Sequence, residues 1–253
     1  MSPSGSSRNI GLDVVQAAIL VGGLGTRLRH CLTDRPKVLA DVRGRPFLSY
    51  LLDQLANHEV RDVVLCTGHL GEQVCTAFGD SYGQLRLAYS RELSPLGTAG
   101  ALRLALPLLH SESVLVMNGD SFCDVNLGAF FSWHQTRNAR GSLVLVRRSD
   151  TTRSGRVEVD TEGQITRFEE KGRQAGPGWI NAGIYLFTKR LLRTIPDSDA
   201  ISLEQELLPN WINDGLYGYQ SDGRFLDIGT PEAYALAEQF FATTAASSPQ
   251  REL

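Results

Sequence analysis

The sequence predicts an α/β protein built on an open, Rossmann-like mixed sheet, mostly parallel and flanked by helices. Two observations carry that prediction. Through the first half, short apolar runs alternate with segments of helical periodicity, the pattern of βαβ crossovers whose strands run parallel. The glycine-rich stretch GGLGTRL then follows directly on the first apolar run, at the strand end where open α/β sheets form ligand crevices.

The elements read in order. VVQAAILV is the first strand and PFLSYLLDQLANHEV the first helix; DVVLCTG precedes the helical EQVCTAF; LRLAYS precedes TAGALRLALPLL; SVLVMNGD precedes LGAFFSWHQTR. From about Gly141 the texture changes to closely spaced strands, GSLVLVRR, RVEVD, QITRFEEK and WINAGIYLF, with VEVDTEGQITRF read as a hairpin closing over Thr161–Gly163. Two helical segments follow, around SLEQELLPNWI and PEAYALAEQF. The second starts with Thr230 as N-cap and Pro231 at the first helical position. No composition break or internal repeat divides the chain, so residues 14–242 are expected to form one domain. The Ser/Gly-rich residues 1–13 are expected to be a disordered segment and the polar residues 243–253 a flexible tail.

Composition bounds the function. A chain of 253 residues has ample material for a core, and 42% hydrophobic and 21% charged residues with a formal net charge of -3 describe an ordinary globular protein without a nucleic-acid footprint. Cys31, Cys66, Cys75 and Cys123 form no CxxC pair, which argues against a disulfide framework and a zinc site and fits reduced thiols. The first apolar run is broken by Gln16 and too short to cross a bilayer, and no signal peptide is evident. A cytoplasmic protein with neither a nucleic-acid nor a membrane partner is expected.

Several motifs exclude chemistry. GGLGTRL matches neither GxxxxGK[ST] nor GxGxxG. Gly79-Asp80-Ser81-Tyr82-Gly83 satisfies GxSxG, but it lies between a helical and a strand pattern, the reverse of a nucleophile elbow, and reads as a surface turn. The histidines, His30, His58, His69, His110 and His134, show no metal-binding spacing.

Other segments point to a phosphate-handling site. Glycines let backbone N–H groups approach a ligand and nearby cations neutralise phosphates, so GGLGTRLRHCLTDRPK suggests a polyphosphate, although strand-to-helix glycines also serve as plain punctuation. In MNGDSF, Val114 to Met117 deliver Asp120 to the carboxyl end of the sheet, as a Mg²⁺ ligand or as the N-cap of the next helix. Asp227 in FLDIGTPEAY likewise follows an apolar pair, so two aspartates distant in sequence could share one metal. Gly97 and Thr98 open a helix whose N-terminus could meet a base or phosphate. Glu170 and Lys171 follow a strand, and Asn181 and Gly183 interrupt an apolar one, where a lone Asn needs a partner.

Taken in order, GGLGTRL with RPKVL, LGTAGAL, NGD, EEK, NAGIY and LDIGTPE resemble the sugar-1-phosphate nucleotidyltransferases, over roughly Val14 to Phe240. The compact length and SLEQELLP ahead of FLDIGTPEAY look most like the D-glycero-α-D-manno-heptose 1-phosphate guanylyltransferases, relatives of the mannose-1-phosphate enzymes. The resemblance implies a GT-A-like nucleotidyltransferase fold, with GTP and a sugar 1-phosphate as small-molecule partners and Mg²⁺ as cofactor. It implies nucleotide contacts from Leu20, Gly22, Gly23, Gly25 and Thr26, with Arg27 on the triphosphate, Lys37 near the α-phosphate, and Gly97 and Thr98 on base and ribose. It gives Gly119, Gly155, Glu170, Lys171 and Asn181 to the sugar phosphate, and Asp120 and Asp227 to the metal. Arg27, Lys37, Lys171, Asp120 and Asp227 would carry catalysis. Many relatives carry Gln near Glu92–Leu93 to read the base, whereas this chain has RELSPLGT. The alternatives left open are mannose 1-phosphate with GTP, hexose 1-phosphates with dTTP or UTP, and a non-catalytic nucleotide-sugar sensor. A small protein with this many apolar surface candidates is expected to form a homodimer, and capsule or lipopolysaccharide synthesis is the expected pathway.

Overall fold

In a computed structural model the described residues are 11–23, 25, 34–152, 154–169, 176–198 and 200–245, with side chains described to 242. The strands, in chain order, are β1 Gln16–Leu20, β2 Asp41–Val42, β3 Arg45–Pro46, β4 Asp62–Thr67, β5 Ser81–Tyr82, β6 Leu85–Arg91 and β7 Ser113–Asn118. They continue with β8 Ser121–Cys123, β9 Gly141–Arg148, β10 Arg156–Val159, β11 Ile165–Glu169, β12 Gly178–Thr188, β13 Leu216–Ser221 and β14 Phe225–Asp227. The helices are α1 Phe47–Asn57, α2 Gly71–Phe78, α3 Gly97–Ala105, α4 Leu127–Thr136, α5 Lys189–Leu192, α6 Leu208–Trp211, α7 Pro231–Ala235 and α8 Ala237–Ala245.

One mixed sheet organises these elements, in the order β11-β10-β12-β7-β1-β4-β6-β5, with β9 paired to β12 and β13 to β9. Its centre, β7-β1-β4-β6, is parallel, as the crossovers through α1, α2 and α3 require. Where closely spaced strands replace strand–helix alternation, pairing turns antiparallel: β12 lies against β7, β9 and β10, and β10 and β11 form the expected hairpin. That hairpin closes with Gln164 and Gly163 donating to the Asp160 side chain and backbone respectively. β13 was not legible in LYGYQS, whose Gly218 interrupts the apolar pattern; its parallel pairing with β9 supplies the order that propensity does not.

Alternating side chains feed two cores, one per face of the sheet. Ala17 and Ile19 of β1 join Phe47, Leu51, Leu55 and Phe130 on one side, while Ala18 joins Leu102, Ala105, Tyr185, Phe187 and Leu208 on the other. Fully burying one such large side chain contributes about 1.5–3 kcal/mol, so both faces hold the central strands rigidly.

Some boundaries differ from the sequence reading. The first strand begins at Gln16, where pairing to Val114 starts; Leu12–Val14 form a 3₁₀ turn with Leu12 buried. SLEQELLPNWI opens not as a regular helix but as a wide π-turn, Leu203–Leu207, which passes into α6 and a 3₁₀ turn at Ile212–Asp214. PEAYALAEQF divides at Leu236 into α7 and α8, behind Thr230, whose Oγ1 caps the first by accepting from the Ala233 N–H.

Candidate active site

The carboxyl ends of β1, β4 and β7 border a cleft of about 400 Å³. Eight residues singled out in the sequence line it: Leu20, Gly22, Gly23, Gly25, Lys37, Gly97, Thr98 and Asp120. Thr26, Arg27, Glu170 and Lys171 lie outside the described residues.

At one end Lys37, on a 3₁₀ turn after Pro36, reaches between two carboxylates. Its ammonium donates to Asp120 Oδ2 at 2.8 Å and stands 4.0 Å from Asp227 Oδ1. Backbone pairing makes the two aspartates neighbours: Asp227 is opposite Ser121 in the β8–β14 ribbon, and the Ile228 N–H donates to the Asp120 carbonyl. The Gly229 N–H donates to Asp227 Oδ1 at 2.6 Å and helps orient that carboxylate. The cap of α4 is Asn126, which accepts from the Ala129 N–H, so Asp120 does not serve that helix.

The opposite wall is the start of α3. Gly97 has φ +73°, and a Cβ there would lie 2.3 Å from the Ile201 carbonyl oxygen, so glycine is required by conformation and by space alike. That close approach allows the Ala99 N–H to donate to Ile201 and the Ile201 N–H to donate to Leu96, stitching α3 to the segment ahead of the π-turn. Gly119 packs on the end of β1, with the space for a Cβ filled by the Leu20 carbonyl at 2.6 Å, and lies behind the lining rather than in it.

Two other predicted contacts also lie off the lining. Gly155 precedes β10. Asn181, on β12, donates to the Tyr185 hydroxyl at 2.8 Å and accepts from the Gly183 N–H at 2.9 Å, the partners a lone Asn in an apolar strand needs.

Three polar lining residues carried no assignment from the sequence: Asn118, Glu204 and, beyond its departure from Gln, Glu92. Glu204 sits in the π-turn, inside the SLEQELLP phrase, and accepts from Thr98, Ser202, Asn118 and Tyr185. Only its place in that phrase pointed to it. Burial raises the Glu92 carboxyl above the usual carboxylate range, opposed by the Leu96 N–H that donates to Oε2 at 3.1 Å. Beneath the cleft burial pushes the Cys66 thiol up to about 12, so it is no nucleophile. No histidine is among the described lining residues, and Ser81 lies on a hairpin strand paired with β6, away from the cleft.

The donor set fits a hard cation. Two carboxylates lie within reach of one ammonium, and among the described residues no group of three or more His, Cys, Asp or Glu gathers to form a closed metal cage. Mg²⁺ is characteristically held by one or two carboxylates, with substrate phosphates and water completing its shell.

Comparison with known proteins places the chain in a family. Residues 16–244 match the model of the nucleotidyl transferase family. The chain is 35% identical, over 89% of its length and 97% of the relative's, to the D-glycero-alpha-D-manno-heptose 1-phosphate guanylyltransferase of Aneurinibacillus thermoaerophilus. It is 33% identical, over 93% of its length and 67% of the relative's, to a mannose-1-phosphate guanylyltransferase of Mycobacterium tuberculosis. Among solved structures, HddC from Yersinia pseudotuberculosis complexed with GMP-PN superposes with a TM-score of 0.79 at 29% identity, covering 90% of this chain and 99% of that one.

Proposed function

The chain belongs to the nucleotidyl transferase family, and on that premise we propose that it transfers GMP from GTP to a sugar 1-phosphate, D-glycero-α-D-manno-heptose 1-phosphate, releasing pyrophosphate. The observation that carries the reading is the pairing of Lys37 with Asp120 and Asp227 at the end of a glycine-floored cleft. Such an end suits a transferring phosphate, and the rest of the cleft has room for a nucleoside.

The chemistry needs little beyond placement. A phosphate oxygen of the sugar phosphate, ionised at neutral pH, attacks the α-phosphorus in line. The new P–O bond forms as the bond to the β-phosphate bridging oxygen breaks, and pyrophosphate departs with that electron pair. No proton must be removed from the nucleophile, which suits a cleft whose described lining has no histidine. Lys37 neutralises charge as it builds on the α-phosphate, and the cleft holds the reactants in line. A Mg²⁺ held by Asp120 and Asp227 would supply further charge neutralisation there. By the family resemblance Thr26 and Arg27 belong to the triphosphate, and Glu170 and Lys171 to the sugar phosphate.

The mannose relative, matched over 93% of this chain, supports mannose 1-phosphate as the second reading. Pyrophosphate release with Mg²⁺, across five nucleoside triphosphates and heptose, mannose and glucose 1-phosphates, separates the two. Release confined to GTP with the manno-heptose phosphate establishes the first reading; preference for mannose 1-phosphate replaces it. Absence of release from a folded protein rejects both and favours a nucleotide-sugar sensor.

A further inference from the structure

Among the described cleft carboxylates, Glu204 is the one whose hydrogen bonds reach both Thr98 and, through Tyr185, Asn181. Its Oε2 accepts from Thr98 Oγ1 at 2.8 Å and Ser202 Oγ at 3.4 Å, and its Oε1 from the Tyr185 hydroxyl at 3.2 Å and Asn118 Nδ2 at 3.3 Å. Tyr185 in turn receives the Asn181 amide at 2.8 Å. The hub sits on a π-turn, a local widening of the helix found disproportionately at functional sites.

We propose that Glu204 is a positioning residue that sets two hydrogen-bonding directions at once: that of the Thr98 hydroxyl in the cleft lining, on the nucleotide side, and, through Tyr185, that of the Asn181 amide behind the lining, which the family resemblance gives to the sugar phosphate. This rests on the reading under Proposed function and on the resemblance, which gives Thr98 to the nucleotide and Asn181 to the sugar phosphate.

The direction follows from donor and acceptor inventory. A carboxylate only accepts, so each group facing Glu204 must turn a hydrogen toward it. The Thr98 proton is committed to Oε2 while its oxygen accepts from the Leu203 N–H at 2.7 Å. Towards a ligand, Thr98 therefore offers a lone pair and takes a donor, such as a ribose hydroxyl or a base N–H. The Tyr185 proton is committed to Oε1, which leaves its oxygen to accept from Asn181. The Asn181 carbonyl must then face the Gly183 N–H, and its second amide hydrogen remains for a ligand oxygen. Burial, then the Glu204 charge, pushes the Tyr185 phenol well above its ordinary value, so the relay keeps its proton.

Asn118 shows that the hub dictates orientation. With Nδ2 turned to Glu204, its Oδ1 is buried without a hydrogen-bond partner, an arrangement costly in itself. Reversing the amide would set a carbonyl against the carboxylate. A glutamine at 204 would meet Tyr185 and Asn118 with its amide hydrogens and Thr98 with a neutral carbonyl, so the Tyr185 arm would have to reverse and the Thr98 arm would lose its charge assistance.

The test measures binding of GMP-PNP and KM for the sugar phosphate separately in three variants. Loss of one charge-assisted bond is expected to cost roughly tenfold on the end it serves. Thr98→Val should raise the nucleotide Kd and leave the sugar-phosphate KM unchanged; Tyr185→Phe, which keeps the ring but removes the relay hydroxyl, should do the reverse. Glu204→Gln should weaken both ends, and adding Tyr185→Phe to it should cost the sugar-phosphate end no further loss, because the arm is already broken. A folded Glu204→Gln that weakens only one end, or additive behaviour of the double variant, overturns the relay. Should Glu204→Gln not fold, an unchanged sugar-phosphate KM in Tyr185→Phe overturns it. Wild-type protein that binds neither ligand fails the functional reading itself, a result distinct from wild-type binding with independent arms.

Discussion

Lys37 Nζ lies 2.8 Å from Asp120 Oδ2 and 4.0 Å from Asp227 Oδ1, so the cleft already carries an ammonium between the two carboxylates assigned to a metal. The lysine side chain is only 11% exposed, whereas the aspartates are 43% and 53% exposed. A divalent cation approaching from solvent must share these carboxylates with a charge that is hard to displace until a phosphate offers Lys37 another partner.

Metal affinity is therefore expected to depend on nucleotide. Mn²⁺ titration followed by electron paramagnetic resonance should show weak binding to the wild type alone and tighter binding with GMP-PNP. Lys37→Met should bind Mn²⁺ more tightly than the wild type when no nucleotide is present, yet lose activity on the order of 10²–10³-fold, the scale of removing a preorganised charge at a transition state. Asp120→Ala and Asp227→Ala should lose metal-dependent turnover and keep a wild-type melting temperature. Equal Mn²⁺ affinity in wild type and Lys37→Met without nucleotide would refute the competition.

Gly97→Ala tests the opposite wall. The new methyl carbon would meet the Ile201 carbonyl at 2.3 Å on a backbone at φ +73°. Left-handed strain of about 1–2 kcal/mol and overpacking of about 1–3 kcal/mol add to a loss of roughly 2–5 kcal/mol. Thermal unfolding should fall by at least about 4 °C. Nucleotide binding should weaken as well, because α3 and the π-turn segment would part.

The limits of reading the sequence follow from the range of the interactions involved. The parallel run of the central strands was legible because each crossover is an apolar run, a helix and another apolar run; the order was not, since β7 pairs with β1 rather than with β6 before it. The approach of Asp120 to Asp227 was legible only as a possibility, since it depends on pairing of β8 with β14 across more than a hundred intervening residues. Glu204 was illegible as a site residue. One glutamate in SLEQELLP looks like its neighbours until the π-turn and the Ile201 contacts turn it towards Thr98. For Asn181 the need for partners was plain from the apolar strand, and the structure supplies them from Tyr185 and Gly183 on that same strand.

His134 makes stability depend on pH apart from the cleft. It is buried, with Nδ1 2.8 Å from Ser142 Oγ, and desolvation lowers its pKa from 6.5 to about 4. The unfolded chain thus binds the proton more readily than the folded one, so the contribution is fully present above pH 6.5 and is lost as pH falls towards 4. Urea unfolding of the wild type should show a drop of up to about 3 kcal/mol across that window. In His134→Gln, which keeps a polar partner for Ser142 but does not titrate, the pH dependence attributable to this site should vanish. An unchanged slope would assign the acid sensitivity to other groups.

Glu92 offers the sharpest test of base choice. Its Oε2 is held by the Leu96 N–H, and it lines the cleft beside Gly22, where a Cβ would come within 3.1 Å of Oε1. A carboxylate so fixed presents acceptors only. Guanine offers two adjacent donors, N1–H and the N2 amino group, which a carboxylate can receive together. Uracil and thymine offer one N–H flanked by carbonyls, which an amide complements better. Glu92→Gln should therefore reduce kcat/KM for GTP and raise it for UTP and dTTP, a relative change of roughly 10- to 100-fold for 1–3 kcal/mol of differential pairing. Glu92→Asp, which keeps the charge but withdraws it by one methylene, should weaken GTP without favouring the pyrimidines. A Glu92→Gln enzyme that retains the wild-type ranking of nucleotides would place base recognition on the backbone of the cleft instead.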